Sequence, residues 1–125
     1  MTVVLDTNAL MMPVECDVRV FEELQRLLGS VDPIVPAQVL AELESLSGGA
    51  SEEATAASVG LDLADRCRMV EAAPDYADDA VLAVAQREGV EYALTNDRPL
   101  QERLLAAGVP VISLRGEHKL AITHP

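Results

Sequence analysis

Two short apolar segments of this chain lead into carboxylates, and these carboxylates are its first candidates for chemistry. Residues 3–5 are followed directly by Asp6, and residues 92–94 are followed closely by Asp97. The polar residues that accompany them are Thr7, Asn8, Thr95 and Asn96. A carboxylate at the end of a buried strand needs hydrogen-bond partners or a cation. The pattern therefore predicts a polar site where these two strands end.

Further acidic residues are candidates for the same site. Asp78 and Asp79 precede the apolar segment 80–85, and Glu42 lies in a predicted helix. If these groups converge with Asp6, they form a set of oxygen ligands without His or Cys, which suits Mg²⁺ or Mn²⁺. Of the adjacent pair we select Asp79 for the site, because it directly adjoins the apolar segment, and we interpret Asp78 as the outer cap.

Each of these carboxylates also has a purely structural interpretation. Asp79 and Asp97 stand where helices are predicted to begin, and Asp is a favoured residue at helix N-termini. Glu42 taken alone is typical of a solvated helix surface. Asp6 is the hardest to explain in this way, since it closes an apolar strand.

The elements that must position these groups alternate between strand and helix. Strands are predicted over residues 3–5, 33–36, 67–72, 92–95 and 110–114. Helices are predicted over residues 17–28, 37–46, 51–66, 78–89 and 98–107, with a helical turn at 8–12. This alternation favours an α/β fold with a central, mainly parallel sheet of about five strands, and the first strand is expected near the middle. Residues 1–114 are expected to form a single domain, followed by a tail, 115–125, without assigned structure.

The composition is strongly acidic. The net charge is −12, Lys119 is the single lysine, and half of the residues are hydrophobic. Such a surface is typical of proteins from salt-rich cytoplasm, so we hypothesise a halophilic source, with an ordinary acidic domain as the alternative. In dilute buffer this charge would repel nucleic acid.

The two cysteines and the hydropathy pattern bear on the location of the protein. Cys16 and Cys67 are isolated, which fits a reducing compartment and argues against a structural zinc site. No apolar run approaches the roughly 18 residues that a membrane helix requires. The sequence therefore predicts a soluble, cytoplasmic protein.

The ordered motifs resemble the PIN domain of metal-dependent ribonucleases over roughly residues 2–114. They are Leu-Asp-Thr-Asn at the N-terminus, Val-Leu-Ala-Glu-Leu around Glu42, Ala-Asp-Asp-Ala-Val-Leu, and Leu-Thr-Asn-Asp. The Gly-Gly loop, the Ala-rich helix and the Asp-Asp-Ala motif look most like small archaeal PIN proteins, which are related to VapC-type toxins and to nuclease domains of ribosomal RNA processing factors. The resemblance implies a three-layer α/β/α sandwich.

The resemblance also implies a site and an activity. The residues that would bind one or two Mg²⁺ or Mn²⁺ ions and carry catalysis are Asp6, Glu42, Asp79 and Asp97. The polar supports would be Thr7, Asn8, Thr95 and Asn96. The reaction would be hydrolysis of RNA phosphodiester bonds by a water that the ion activates. Residues suited to contact the RNA backbone are Arg98, Arg115 and Lys119.

Two functions therefore stay open. The first is a metal-dependent endoribonuclease, of the toxin type with an antitoxin partner, or of the RNA-processing type with a ribosome-assembly partner; the resemblance favours a homodimer. The second is a non-catalytic RNA-binding or ribosome-assembly module with the same fold. A receiver-like signalling domain fits poorly, because Lys119 comes after the last predicted strand.

Overall fold

A single six-stranded sheet organises the structure, a computed structural model that describes residues 1–125. The strands are β1 Thr2–Leu5, β2 Asp32–Pro36, β3 Arg68–Val70, β4 Tyr92–Leu94, β5 Val111–Arg115 and β6 Lys119–Thr123. The helices are α1 Thr7–Glu15, α2 Val20–Leu28, α3 Ala37–Leu46, α4 Glu52–Ala64, α5 Ala77–Ala85 and α6 Arg98–Ala106. Helices cover both faces of the sheet, so the predicted α/β class and three-layer arrangement are confirmed.

The strand order places β1 in the interior of the sheet. The order is β3-β2-β1-β4-β5-β6, and β1 pairs in parallel with both β2 and β4. After β1 the chain adds strands first on one side and then, from β4 onward, on the other. The crevice at the carboxyl ends of β1 and β4 is therefore the point where ligands bind in open α/β sheets. Asp6 and Thr95 are the residues that directly follow these two strands.

The core around β1 is aliphatic and fully closed. Val3, Val4 and Leu5 are completely buried. Aliphatic side chains of this kind are typical of a parallel strand that is covered on both faces. Helices α1 and α4 cross closely at Gly60, where an added Cβ would lie 3.0 Å from the carbonyl oxygen of Leu10. This close approach fixes α1, the helix that begins immediately after Asp6.

Three helix boundaries differ from the sequence-based prediction by three residues or more. Helix α5 ends at Ala85 and not at Gly89. Helix α1 continues to Glu15 with Pro13 inside it, because the buried residues that precede the proline hold the helix against the core. Helix α2 begins at Val20 and not at Asp17, whose φ of 52° is incompatible with a helix. The prediction of Gly29 as the residue that ends α2 is confirmed, with a φ of 77°.

The segment after residue 114, for which the sequence suggested no structure, forms the sixth strand. Strand β6 runs antiparallel to β5 after a turn at Gly116, whose φ is 76°. Helix α2 holds this strand through both backbone groups of Leu120. Arg26 donates to the Leu120 carbonyl oxygen at 2.8 Å, and the Leu120 backbone N–H donates to the Glu23 carboxylate at 2.9 Å. The sheet is therefore parallel except at this edge. None of the helices has the length and apolar character needed to span a membrane.

Candidate active site

Asp6 is the best-buried carboxylate of the structure and lies at the centre of the site. Its residue surface is only 4% exposed. One carboxylate oxygen, Oδ1, accepts the backbone N–H of Ala9 at 2.8 Å, which makes Asp6 the N-cap of α1. The other oxygen, Oδ2, accepts the hydroxyl of Thr95. Asp6 therefore has a structural role as a cap in addition to its position at the crevice.

The electrostatic environment of Asp6 disfavours its charged form. Burial raises its pKa to about 7, and the negative charges of Asp78 and Asp97 act in the same direction. The hydrogen bonds from Thr95 and Ala9 oppose this shift without cancelling it. Three carboxyl groups from different parts of the chain thus influence one another here. A nearby divalent cation would relieve this repulsion.

Thr95 and the two asparagines fix the loops that surround Asp6. The Thr95 hydroxyl oxygen also accepts the backbone N–H of Asp97 at 3.0 Å. The side-chain oxygen of Asn8 accepts the backbone N–H of Asn96 at 3.0 Å. The side-chain oxygen of Asn96 accepts the backbone N–H of Leu114 at 3.1 Å. These bonds join the residues that follow β1 and β4 to the end of β5.

Asp97 has the same double character as Asp6. It is the N-cap of α6, and its Oδ1 accepts the backbone N–H of Leu100 at 3.1 Å. At the same time its charge raises the pKa of both Asp6 and Asp78. Asp97 is therefore a helix cap, as the structural interpretation predicts. Only its Oδ1 is bonded to the helix.

Asp78 and Asp79, adjacent at the start of α5, point to different surroundings. The pKa of Asp78 is raised by partial burial, then by the charges of Asp97 and Glu42. Asp79 instead forms an ion pair with Arg103 of α6, at 2.7 Å. Of the two, only Asp78 is among the charges that shift the pKa of Asp6. The charges of Asp97 and Glu42 therefore act on Asp78, which in turn acts on Asp6, whereas Asp79 is paired with an arginine.

Glu42 lies on the exposed surface of α3, the helix that follows β2. Its charge reaches Asp78, and Gln38 lies one helical turn earlier on the same face. Gln38 donates from Nε2 to the carbonyl oxygens of Ala72 and Pro74, both at 2.7 Å. The same helix therefore carries Glu42 and holds the loop that leads to Asp78. The sequence analysis missed Gln38, although its spacing of four residues from Glu42 was visible.

The chemistry of these donors fits a hard divalent cation. The acidic side chains supply carboxylate oxygens only. Thr7, the residue after Asp6, has a buried hydroxyl oxygen without a hydrogen-bond partner. As placed, no three acidic, His or Cys residues are close enough together to hold an ion. The oxygen donors are therefore of the type that a divalent cation prefers, but their side chains do not form a complete coordination shell.

The basic residues predicted for RNA contact lie on the surface. Arg98, Arg115 and Lys119 are exposed, and none of them takes part in an ion pair of the structure. Arg115 and Lys119 are direct partners across the β5–β6 hairpin. Arg115 ends β5 and therefore lies towards the carboxyl edge of the sheet, on the same side as Asp6 and Asp97. Their contact with RNA stays a prediction.

Comparison with known proteins identifies the family. Residues 3–117 match the family described as a PIN like domain. The chain belongs to this family. This PIN-like domain is 26% identical over 117 residues to ribonuclease VapC4 of Methanocaldococcus jannaschii, which covers 90% of the chain and 89% of the relative. The resemblance inferred from the sequence motifs is therefore confirmed.

Two solved structures are similar to this chain in fold. The PIN-like domain superimposes on the PIN domain endonuclease Utp24 with a TM-score of 0.82 and 25% identity, covering 99% of this chain and 92% of that chain. A second structure, VapBC2 from Rickettsia felis bound to a DNA fragment from its promoter, gives a TM-score of 0.57 at 12% identity, covering 90% and 98%. At that identity the second likeness shows the fold alone.

Proposed function

We propose that this PIN-like domain is an endoribonuclease that depends on Mg²⁺ or Mn²⁺ and hydrolyses RNA phosphodiester bonds. The observation that carries the proposal is Asp6, a buried carboxylate at the carboxyl edge of the sheet whose pKa is raised to about 7 by burial, with Asp78 and Asp97 adding to the shift. Two similar proteins, ribonuclease VapC4 and the PIN domain endonuclease Utp24, support the same activity.

The proposed ligands come from four parts of the chain. They are Asp6 after β1, Glu42 on α3, Asp78 at the start of α5 and Asp97 before α6. Asp78 replaces Asp79, the residue selected from the sequence, because its charge is coupled to the other three groups while Asp79 is bound to Arg103. When bound, one or two divalent ions would supply an activated water as the nucleophile and stabilise the charge on the leaving oxygen.

The remaining polar residues orient these ligands. Thr95 holds one oxygen of Asp6 and the backbone of Asp97, while Asn8 and Asn96 fix the loops on either side. The Thr7 hydroxyl is free to bind a water of the metal site. Arg98, Arg115 and Lys119 would contact phosphates along the RNA backbone.

Partners and assembly belong to the same proposal. The net charge of −12 opposes RNA binding, so the substrate would need the bound metals, a local basic patch, high salt or a partner protein, which would be an antitoxin or a ribosome-assembly factor. We also propose a homodimer in the cytoplasm. The alternative, a non-catalytic RNA-binding module, keeps every contact described above and differs only in the absence of cleavage.

Cleavage of structured and single-stranded RNAs with Mn²⁺, Mg²⁺ or EDTA tests the proposal. The wild type is compared with Asp6→Asn, which removes a ligand charge, and with Asp62→Asn, the same substitution on the exposed surface of α4. We expect cleavage that requires the metal, is lost in Asp6→Asn and persists in Asp62→Asn. Calorimetric titration with Mn²⁺ measures binding independently of activity. Metal binding without cleavage would favour the RNA-binding module.

A further inference from the structure

We propose that Tyr76 is a stacking platform for one unpaired nucleobase of the substrate, next to the phosphate that is cleaved. The inference rests on the proposed function and names the side chain that would contact an unpaired base of the RNA. Aromatic side chains bind unpaired bases through their π-faces with little dependence on sequence.

Tyr76 is the one aromatic ring of this chain that is free to receive a base. It is 76% exposed, whereas Phe21 and Tyr92 are partly buried and packed against the core. The ring of Phe21 is in addition covered by the Arg66 guanidinium, 4.2 Å from its centre. The exposed ring of Tyr76 can therefore offer a π-face to an unpaired base, the kind of contact by which aromatic side chains bind single-stranded RNA.

Tyr76 lies close in the chain to Asp78, one of the proposed metal ligands. It is the N-cap residue of α5 and precedes Asp78 by two residues, so their Cα atoms are at most about 7 Å apart. Asp78 is in turn coupled to Asp6, Asp97 and Glu42. A base stacked on Tyr76 would therefore belong to a nucleotide close to the reacting phosphate.

The backbone beneath the ring is fixed. The carbonyl oxygen of Tyr76 accepts the Ala80 amide at 2.9 Å as the first bond of α5. The preceding loop is held to α3 by the two bonds that Gln38 donates to Ala72 and Pro74. A side chain on an anchored backbone loses less conformational freedom when a base binds, which favours affinity.

The charge of the protein favours a contact that does not depend on electrostatic attraction. With a net charge of −12, long-range electrostatics repel the phosphate backbone, and only a few exposed basic residues oppose this repulsion. Stacking on a neutral ring does not depend on the net charge. It also distinguishes an unpaired base from one in a duplex, where both faces are already stacked.

Binding of labelled single-stranded RNA, followed by fluorescence anisotropy, tests the inference without requiring cleavage. The variants are Tyr76→Ala, Tyr76→Phe, which keeps the ring, and Met69→Ala, which truncates an exposed apolar side chain on β3 instead. We expect Kd to rise roughly 5- to 150-fold in Tyr76→Ala, the range of stacking contributions. Tyr76→Phe and Met69→Ala should bind as the wild type does, and duplex RNA should not distinguish the variants.

Abasic nucleotides locate the stacked base. One abasic position near the cut should weaken binding by the wild type, and the same position should have no further effect in Tyr76→Ala, as a double-mutant cycle requires for two groups in contact. Equal Kd values for wild type and Tyr76→Ala, or effects that multiply at every position, would overturn the inference. These outcomes are separate from those of the cleavage experiment, since a wild type that binds through Tyr76 without cutting refutes only the nuclease.

Discussion

The hydroxyl group of Thr95 donates its hydrogen to Oδ2 of Asp6, and its oxygen accepts the backbone N–H of Asp97 at 3.0 Å. One side chain that follows β4 therefore links the carboxylate after β1 to the residue that begins α6. Thr95 is completely buried, so bulk water does not reach the hydroxyl that joins these two partners. The contact fixes the relative position of two of the proposed metal ligands.

Replacement of Thr95 by Val should destabilise the fold and raise the pKa of Asp6 further. The substitution keeps the shape of the side chain but leaves a buried carboxylate oxygen and the Asp97 amide without their partner, which costs about 1–3 kcal/mol of unfolding free energy. Urea unfolding measures the loss, and Thr95→Ser, which keeps the hydroxyl, is the control. If Thr95→Val is as stable as Thr95→Ser, this hydroxyl does not contribute to the free energy of unfolding.

Asp6→Asn should stabilise the metal-free protein at about pH 8 while it abolishes cleavage. Between the ordinary carboxyl pKa of 3.8 and about 7, the unfolded chain loses the Asp6 proton and the folded chain retains it. The unfolded state then binds fewer protons, so stability contributed by this group falls as pH rises through that window and stays low above it. Asn removes this penalty, but its Nδ2 cannot accept the Thr95 hydroxyl as Oδ2 does, and that loss offsets part of the effect. We expect a net gain on the order of 1–3 kcal/mol.

Urea unfolding at about pH 8 and again below about pH 4 checks this sign, because the gain in stability of Asp6→Asn over the wild type should be lost at the lower pH. Addition of Mn²⁺ at the higher pH should raise the melting temperature of the wild type and leave that of Asp6→Asn unchanged. A wild type that is more stable than Asp6→Asn across the whole range would contradict the assigned environment of Asp6.

Much of the fold could be predicted because local patterns and tertiary packing agree. The apolar segment that ends in Asp6 behaves as a buried strand, and Gly29 ends a helix by adopting a conformation that favours glycine. Strand β6 was not predicted, although Gly116 after an apolar β-branched segment is a hairpin signal. Its pairing depends on contacts with Glu23 and Arg26, which lie far away in the sequence.

The choice between Asp78 and Asp79 shows the limit of sequence reasoning at the site. Both residues lie in the first turn of α5, and one step along a helix rotates a side chain by about 100°. Which of them meets Asp6 is decided by how α5 packs against β1, and which of them is neutralised is decided by Arg103 on another helix. Neither fact can be read from the local spacing.

Gly60→Ala should destabilise the domain although alanine favours helices. The gain in helix propensity is about 1 kcal/mol. The new Cβ, however, would lie 3.0 Å from the backbone oxygen of Leu10 and 3.2 Å from Cδ2 of Leu43, and the backbone of α1 cannot move freely. We expect a net loss of about 1–3 kcal/mol in urea unfolding. Gly48→Ala, where the added Cβ meets nothing within 4 Å, is the matched control and should be close to neutral.

High salt should stabilise this protein if its acidic surface is an adaptation to a salt-rich cytoplasm. Screening lengths fall from about 10 Å at 0.1 M to about 3 Å at 1 M salt, so mutual repulsion within a net charge of −12 is largely removed by then. An ordinary acidic domain should gain stability only up to that concentration. A halophilic protein should continue to gain above it, and thermal unfolding across a KCl series distinguishes the two cases.

The pair Asp78→Asn and Asp79→Asn separates a metal ligand from a surface ion pair. Asp78→Asn removes a charge that is coupled to Asp6, Asp97 and Glu42, and we expect a loss of at least about 100-fold in both Mn²⁺ affinity and cleavage. Asp79→Asn breaks only the half-exposed pair with Arg103, which should cost less than about 1 kcal/mol of stability and leave cleavage near the wild-type rate. Calorimetry with Mn²⁺ and single-turnover cleavage measure the two effects in parallel. The reverse pattern would restore Asp79 as the ligand and would require α5 to be rotated relative to β1.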